Sequence, residues 1–185
     1  ASIGLEQSGD LRRMLVCRPA GGMEKAMIHL KKVDAGNIWK IVGLQVDEDQ
    51  KEFVASNTES ILEAYCAITN GGTALPFGVY DGETPVGFVM IGYDCGDWEN
   101  APAIARENYC IWRLMIDSRY QGRGYGKAAL AAALDFVRTF PCGRAEYCFL
   151  SYEPENEHAR RLYQSFGFRE NGEMDEDEIV AVLKL

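Results

Sequence analysis

Residues 120–130 read YQGRGYGKAAL, with Gly122, Gly124 and Gly126 alternating with Arg123, Tyr125 and Lys127. The stretch lies between an apolar run, YCIWRLMI (109–116), and an alanine-rich segment that begins at Ala128. Glycine weakens regular structure, so three of them in this place imply that a bare main chain is needed. A strand, a glycine turn and a helix in succession form an arrangement that binds phosphate. Free N–H groups and the positive end of the helix face the anion, and glycines let the main chain close into a concave row of donors. Arg123 and Lys127 add positive charge. Spacing excludes two common phosphate loops. A P-loop requires glycine where Gln121 stands and a hydroxyl where Ala128 stands. The dinucleotide fingerprint would place its third glycine on Lys127.

Outward from this turn, the pattern reads as one mixed β and α domain over residues 27–185. Residues 28–33 alternate as a strand, and 38–44 and 49–67 read as helices. The second helix carries Phe53, Ile61, Leu62 and Tyr65 roughly on one face. Strands at 75–80 and 86–93 are joined by DGETP, where Asp81-Gly82 suits a tight hairpin and Pro85 a strand start. Residues 94–108 form a long acid-rich loop before the strand 109–116. The helix 128–140 closes at Pro141 and Gly143, and a strand follows at 145–151. A short helix, 157–166, starts at a capping Asn156 and ends at Gly167. EMDEDE (173–178) reads as a solvated turn before the last strand, 179–185. Residues 1–26 lack sustained periodicity and read as an upstream extension or mobile tail.

Composition narrows the class further. Apolar residues make up 47% of 185, which suits a globular chain with a sizeable core. No run approaches the ~18 apolar residues of a membrane helix, so no membrane partner is expected. A net charge of −9 argues against non-specific nucleic-acid binding and favours a small cationic ligand. The six cysteines form no Cys-x-x-Cys, and there are two histidines, so no metal site is expected. Scattered cysteines in apolar stretches point to reduced thiols and a cytoplasmic location.

The form Gln-x-x-Gly-x-Gly, here Gln121 to Gly126, resembles the acetyl-CoA pyrophosphate loop of the GNAT superfamily of N-acetyltransferases. ENEHARRLYQSFGF (155–168) is similar to that family's later helix, with its Asn, its Leu-Tyr and its terminal Phe-Gly-Phe. Within the superfamily, the chain looks most like bacterial spermine/spermidine acetyltransferases. The resemblance implies an α/β (in some schemes α+β) acyl-CoA N-acyltransferase fold, with a mixed, mostly antiparallel central sheet flanked by helices. It implies acetyl-CoA as cosubstrate, held by Gln121 to Ala128 and by Asn156, Ala159 and Arg160. Main-chain groups of Leu114, Met115 and Ile116 would pair with the pantetheine arm, one N–H polarising the thioester carbonyl. Tyr163 would be the proton donor to the departing thiolate. Dimers are common in that family, so a homodimer is also expected.

The implied activity is direct transfer of acetyl to a primary amine of a polyamine in a ternary complex. Other acceptors remain open: a protein N-terminus, an aminoglycoside or an arylalkylamine. A second class is a non-catalytic acyl-CoA sensor. Transfer requires a neutral amine, and at a lysine-like pKa of ~10.4 deprotonation at pH 7.4 costs roughly 4 kcal/mol. Several polyamine acetyltransferases carry an acid early in the strand where this chain has Trp112-Arg113. Substitutes are Asp94, Asp97, Glu99, Glu107 and Glu153; of these Asp97, Glu99 and Glu153, together with the aromatic Trp98, are the candidate amine contacts. An acyl-cysteine route through Cys110 or Cys148 is the weaker rival, since no histidine lies near either in sequence.

Overall fold

A computed structural model describes residues 28–96, 98 and 101–185. The expected leader and the candidates Asp97 and Glu99 lie outside the described residues. The elements run β1 (Ile28–Lys32), α1 (Ile38–Val42), α2 (Asn57–Thr69), β2 (Thr73–Asp81) and β3 (Thr84–Tyr93). They continue β4 (Tyr109–Ile116), α3 (Tyr125–Val137), β5 (Tyr147–Tyr152), α4 (Glu157–Ser165), β6 (Arg169–Asp175) and β7 (Glu178–Lys184). The strands form one sheet in the order β1-β2-β3-β4-β5-β7-β6. All neighbours are antiparallel except β4 and β5.

Helices cover both faces. The alanines of α3 let its backbone lie close to the sheet, where Ala129, Leu130, Ala133 and Leu134 join Val79, Val89, Ile111 and Leu150. Residues of α4, including Ala159, Leu162 and Tyr163, pack against that same cluster. On the other face, Ile41 of α1 and Ala64 of α2 meet Phe88, Met90 and Met115. Buried Asn57 joins the two helices there: its Nδ2 donates to the Ile41 carbonyl at 2.8 Å.

Three expectations change. The helix expected from residue 49 begins at Asn57, because Ser56 and Glu59 form a reciprocal cap: Ser56 Oγ accepts the Glu59 N–H at 3.2 Å and Glu59 accepts the Ser56 N–H at 2.9 Å. Phe53 therefore lies before the helix, and Leu62 and Tyr65 are exposed, while Asn57, Ser60 and Ala64 face the core. The helix α3 starts at Tyr125 and not at Ala128, since Gly126 is already helical. Its end at Val137 reflects a left-handed Phe140 (φ 53°) before Pro141. Residues 169–175 form a strand that pairs with β7, and only Glu176 and Asp177 of EMDEDE make the connecting turn.

Candidate active site

The sheet is split at its one parallel junction. Tyr109 and Cys110 pair with Cys148 and Phe149, and beyond them β4 and β5 have no paired residues. A bulge in β4 contributes to the split. Met90 pairs with Arg113 and Ile91 with Ile111, which leaves Trp112 over and bends the strand. The resulting cleft encloses about 960 Å³ and is lined from the glycine turn at one mouth to Ser151 and Glu178 at the other. Leu114, Met115 and Ile116 pair with β3 on one edge and present their opposite main-chain edge to this gap.

At the first mouth, Gly122 (φ 72°) and Gly124 (φ 81°) adopt the left-handed conformation that favours glycine. Gly124 caps α3, whose first bond runs from the Ala128 N–H to the Gly124 carbonyl at 3.1 Å. The N–H groups of Tyr125, Gly126 and Lys127 thus belong to the unpaired first turn and carry the helix dipole's positive end. Gln121 braces the turn, its Nε2 donating to the Ile116 carbonyl at 2.9 Å and to Gln50 at 2.7 Å. The Tyr125 hydroxyl donates to Asp81 at 2.7 Å. Asp117, almost fully buried, accepts from the Gln45 N–H at 3.1 Å and from Arg119 Nε at 2.7 Å. Burial raises its carboxyl, yet the bonds from Arg119 and the main chain outweigh that and hold it below its ordinary value.

Not every expected contact reaches the cleft. Asn156 does; its side chain accepts the Ala159 N–H at 3.0 Å, capping α4. Ala159 lines the cleft as well. Arg160 turns to Glu170, with Nε at 2.9 Å, and Arg161 takes its place on the cleft wall. Arg123 sits over the Tyr120 ring at 5.9 Å, and Ala128 packs into the core, so neither lines the cleft. Lys127 does line it.

Tyr163 lines the wall, packed against Tyr152 and Phe168 with ring centroids 5.6 and 6.1 Å away. Burial first, then the negative charge of Glu178, pushes its phenol well above the ordinary value, so it stays protonated at neutral pH. Cys148 is pushed up to about 12 by burial, and Cys110 also rises for that reason. Neither thiol lines the cleft, and the acyl-cysteine route loses its nucleophile.

The other mouth differs from expectation. Asp94 is occupied structurally, accepting the Glu107 N–H at 2.8 Å. Glu107 lines a separate cavity with Arg106 and Arg144. Glu153 remains close enough to Glu178 to raise it, and Trp98 reaches Asp175 with its indole N–H. Acids that line the cleft include Glu178 here and, beside the Gln50 that bonds the glycine turn, Asp49 and Glu52; none of them is among the sequence candidates. Glu178, expected in a solvated turn, is partly buried and bonded by the Ser151 hydroxyl.

The Acetyltransferase (GNAT) family profile matches residues 27–168. This chain belongs to the GNAT acetyltransferase family. Among curated relatives of this GNAT chain is the spermine/spermidine N(1)-acetyltransferase of Bacillus subtilis (strain 168), 35% identical over 153 residues, covering 80% of this chain and 91% of the relative. An aminoglycoside acetyltransferase, AAC(6')-Ib, solved with coenzyme A superposes with TM-score 0.68 at 14% identity, over 85% of this chain and 94% of that one. The Vibrio cholerae spermidine N-acetyltransferase, solved with CoA and spermine, gives TM-score 0.59 at 18% identity, over 85% of this chain and 94% of that one. These structures share the GNAT fold, with its mixed sheet between helices. Among the described residues, no helix is long and apolar enough to cross a membrane.

Proposed function

We propose that this GNAT chain transfers acetyl from acetyl-CoA to a primary amine of a polyamine, spermidine or spermine, by direct attack within a ternary complex. One observation carries the reading: a single cleft is lined by an anion-ready helix start, by the Tyr163 phenol and by the carboxylate of Glu178. The N–H groups of residues 124–127 suit a diphosphate, with Lys127 and Arg161 adding charge beside it. The open edge of β4 suits the pantetheine amides, and a main-chain N–H there is placed to stabilise the oxyanion. Holding both reactants in one gap supplies proximity and orientation. Tyr163 then protonates the thiolate as it leaves. The B. subtilis relative, named for spermine and spermidine, supports a polyamine as acceptor.

The test is release of thiol from acetyl-CoA across a panel of spermidine, spermine, peptides, aminoglycosides and arylalkylamines. Spermidine-dependent release at the highest kcat/KM in the panel is expected. A higher kcat/KM with another amine would reassign the acceptor. Tight CoA binding with no turnover on any amine would make the chain a sensor.

A further inference from the structure

The GNAT reading leaves the amine's proton without an acceptor. On β4, where a carboxylate would be convenient, stands Arg113, whose Nη2 lies 3.0 and 3.3 Å from the Glu63 oxygens on α2. The need is met from the far side of the split. Glu178 opens β7 directly opposite Asp175, the last residue of β6, so two carboxylates face each other at the end of that hairpin. Strand alternation puts Glu178 on the same face as Val180, which packs with Phe149 and Cys110. Ser151, two residues beyond Phe149, shares that face, and its hydroxyl donates to Glu178 Oε2. Tyr163 reaches the gap from the opposite, α4-covered face.

We propose that the Glu178 carboxylate, held by Ser151, accepts the proton of the incoming ammonium, with Asp175 as a second contact for the cation. The proposal rests on the acetyltransferase reading and supplies the base that it lacks. The amine then enters from the α1–α2 face, while the thioester lies against Tyr163. The ammonium, R–NH3+, gives one proton to Glu178, and its lone pair attacks the thioester carbonyl carbon. As the C–N bond forms and the C–S bond breaks, the sulfur takes the Tyr163 proton. The phenolate recovers the second proton from nitrogen, and Glu178 releases its own to solvent. The products are R–NH–acetyl, CoA–SH and one proton.

The surroundings of Glu178 suit this task. Burial raises its carboxyl, and Glu153 and Asp175 push the same way, against Ser151 and Arg113. Burial likewise raises Asp175, against the bond from Trp98. A carboxylate raised toward neutrality is a better general base.

The experiment compares wild type, Glu178→Gln, Asp175→Asn and Ser151→Ala in spermidine-dependent thiol release from pH 5.5 to 9.5, with CoA affinity as a fold control. Wild-type turnover comes first: if no amine is acetylated, the acetyltransferase reading fails, independently of Glu178. Given turnover, Glu178→Gln is expected to lower kcat/KM about 10²–10⁴-fold at pH 7.5. That loss should shrink tenfold per pH unit as solvent deprotonates the amine, with CoA affinity unchanged. Asp175→Asn should raise the amine KM more than it lowers kcat. Ser151→Ala removes a bond that lowers Glu178, so the acidic limb should move to higher pH. A Glu178→Gln rate within about twofold of wild type, a loss that ignores pH, or an unmoved limb in Ser151→Ala would each overturn the proposal. Should Glu178→Gln not fold, the Ser151→Ala limb decides alone.

Discussion

Tyr163 combines two properties seldom useful apart: a phenol held protonated by burial, and a place on the cleft wall. If it is the acid, Tyr163→Phe should lower kcat by about 10²–10³-fold while CoA affinity stays within about twofold, because only the departing thiolate loses a partner. Stopped-flow thiol release beside CoA titration checks this, and an unchanged rate removes Tyr163 from the chemistry. Asp117 acts on stability. Its folded carboxyl lies below the unfolded value of about 3.9, so its contribution is complete above that value and lost as pH falls through the folded one. Asp117→Asn should therefore destabilise the chain by about 1–3 kcal/mol at pH 7, and by less at pH 3. Denaturant midpoints at both pH values measure the difference. Both residues were visible in the sequence as letters. Only Tyr163 stood out, because a motif surrounds it. Asp117 depends on Gln45, far away in the chain, and no local pattern announces that bond.

The glycine turn shows how an element can be legible in part. Three glycines marked the place, and the structure separates their duties. Gly122 and Gly124 have positive φ, whereas Gly126 sits inside the helix with ordinary 3.9 Å neighbours around an added methyl. Gly124→Val should weaken CoA binding at least tenfold, by straining the turn and by placing a branched side chain before the free N–H groups. Gly126→Ala should leave binding near wild type. Calorimetric titration of both variants, each checked for folding, settles the turn's role; tight binding by Gly124→Val would refute it. Elsewhere, local rules misled. The pattern 49–67 looked like one helix, although Ser56-x-x-Glu59 was a readable cap that breaks it, and the residues freed before the cap line the cleft. The charge density of EMDEDE predicts a solvated turn, whereas strand alternation does not. Continuing the alternation of β7 back from Val180 puts Glu178 on a packed face. The bulge at Trp112 had no signal in the sequence, since it is set by the register of β4 against β3.

The whole molecule carries a net charge of −9, and the acceptor proposed for it is a polycation. Long-range attraction should speed encounter and fade with screening. Between about 20 and 200 mM salt, kcat/KM for spermine is expected to fall several-fold and for a monoamine much less, because the field acts on each charge. Initial rates at fixed acetyl-CoA test this, and parallel declines for both amines would assign the salt effect to the cofactor instead. The fold itself was the most readable level: two motifs, separated by one helix and one strand, located the sheet and the helices around it.

Because β4 and β5 part company after two paired residues, the opening perforates the sheet from one side to the other. Under the proposed ternary mechanism each reactant would have its own doorway, so that geometry would impose no order of arrival. A long acceptor bound in the proposed way would leave its unreacted end trailing in water, so the rate should follow the chain end and depend little on total length.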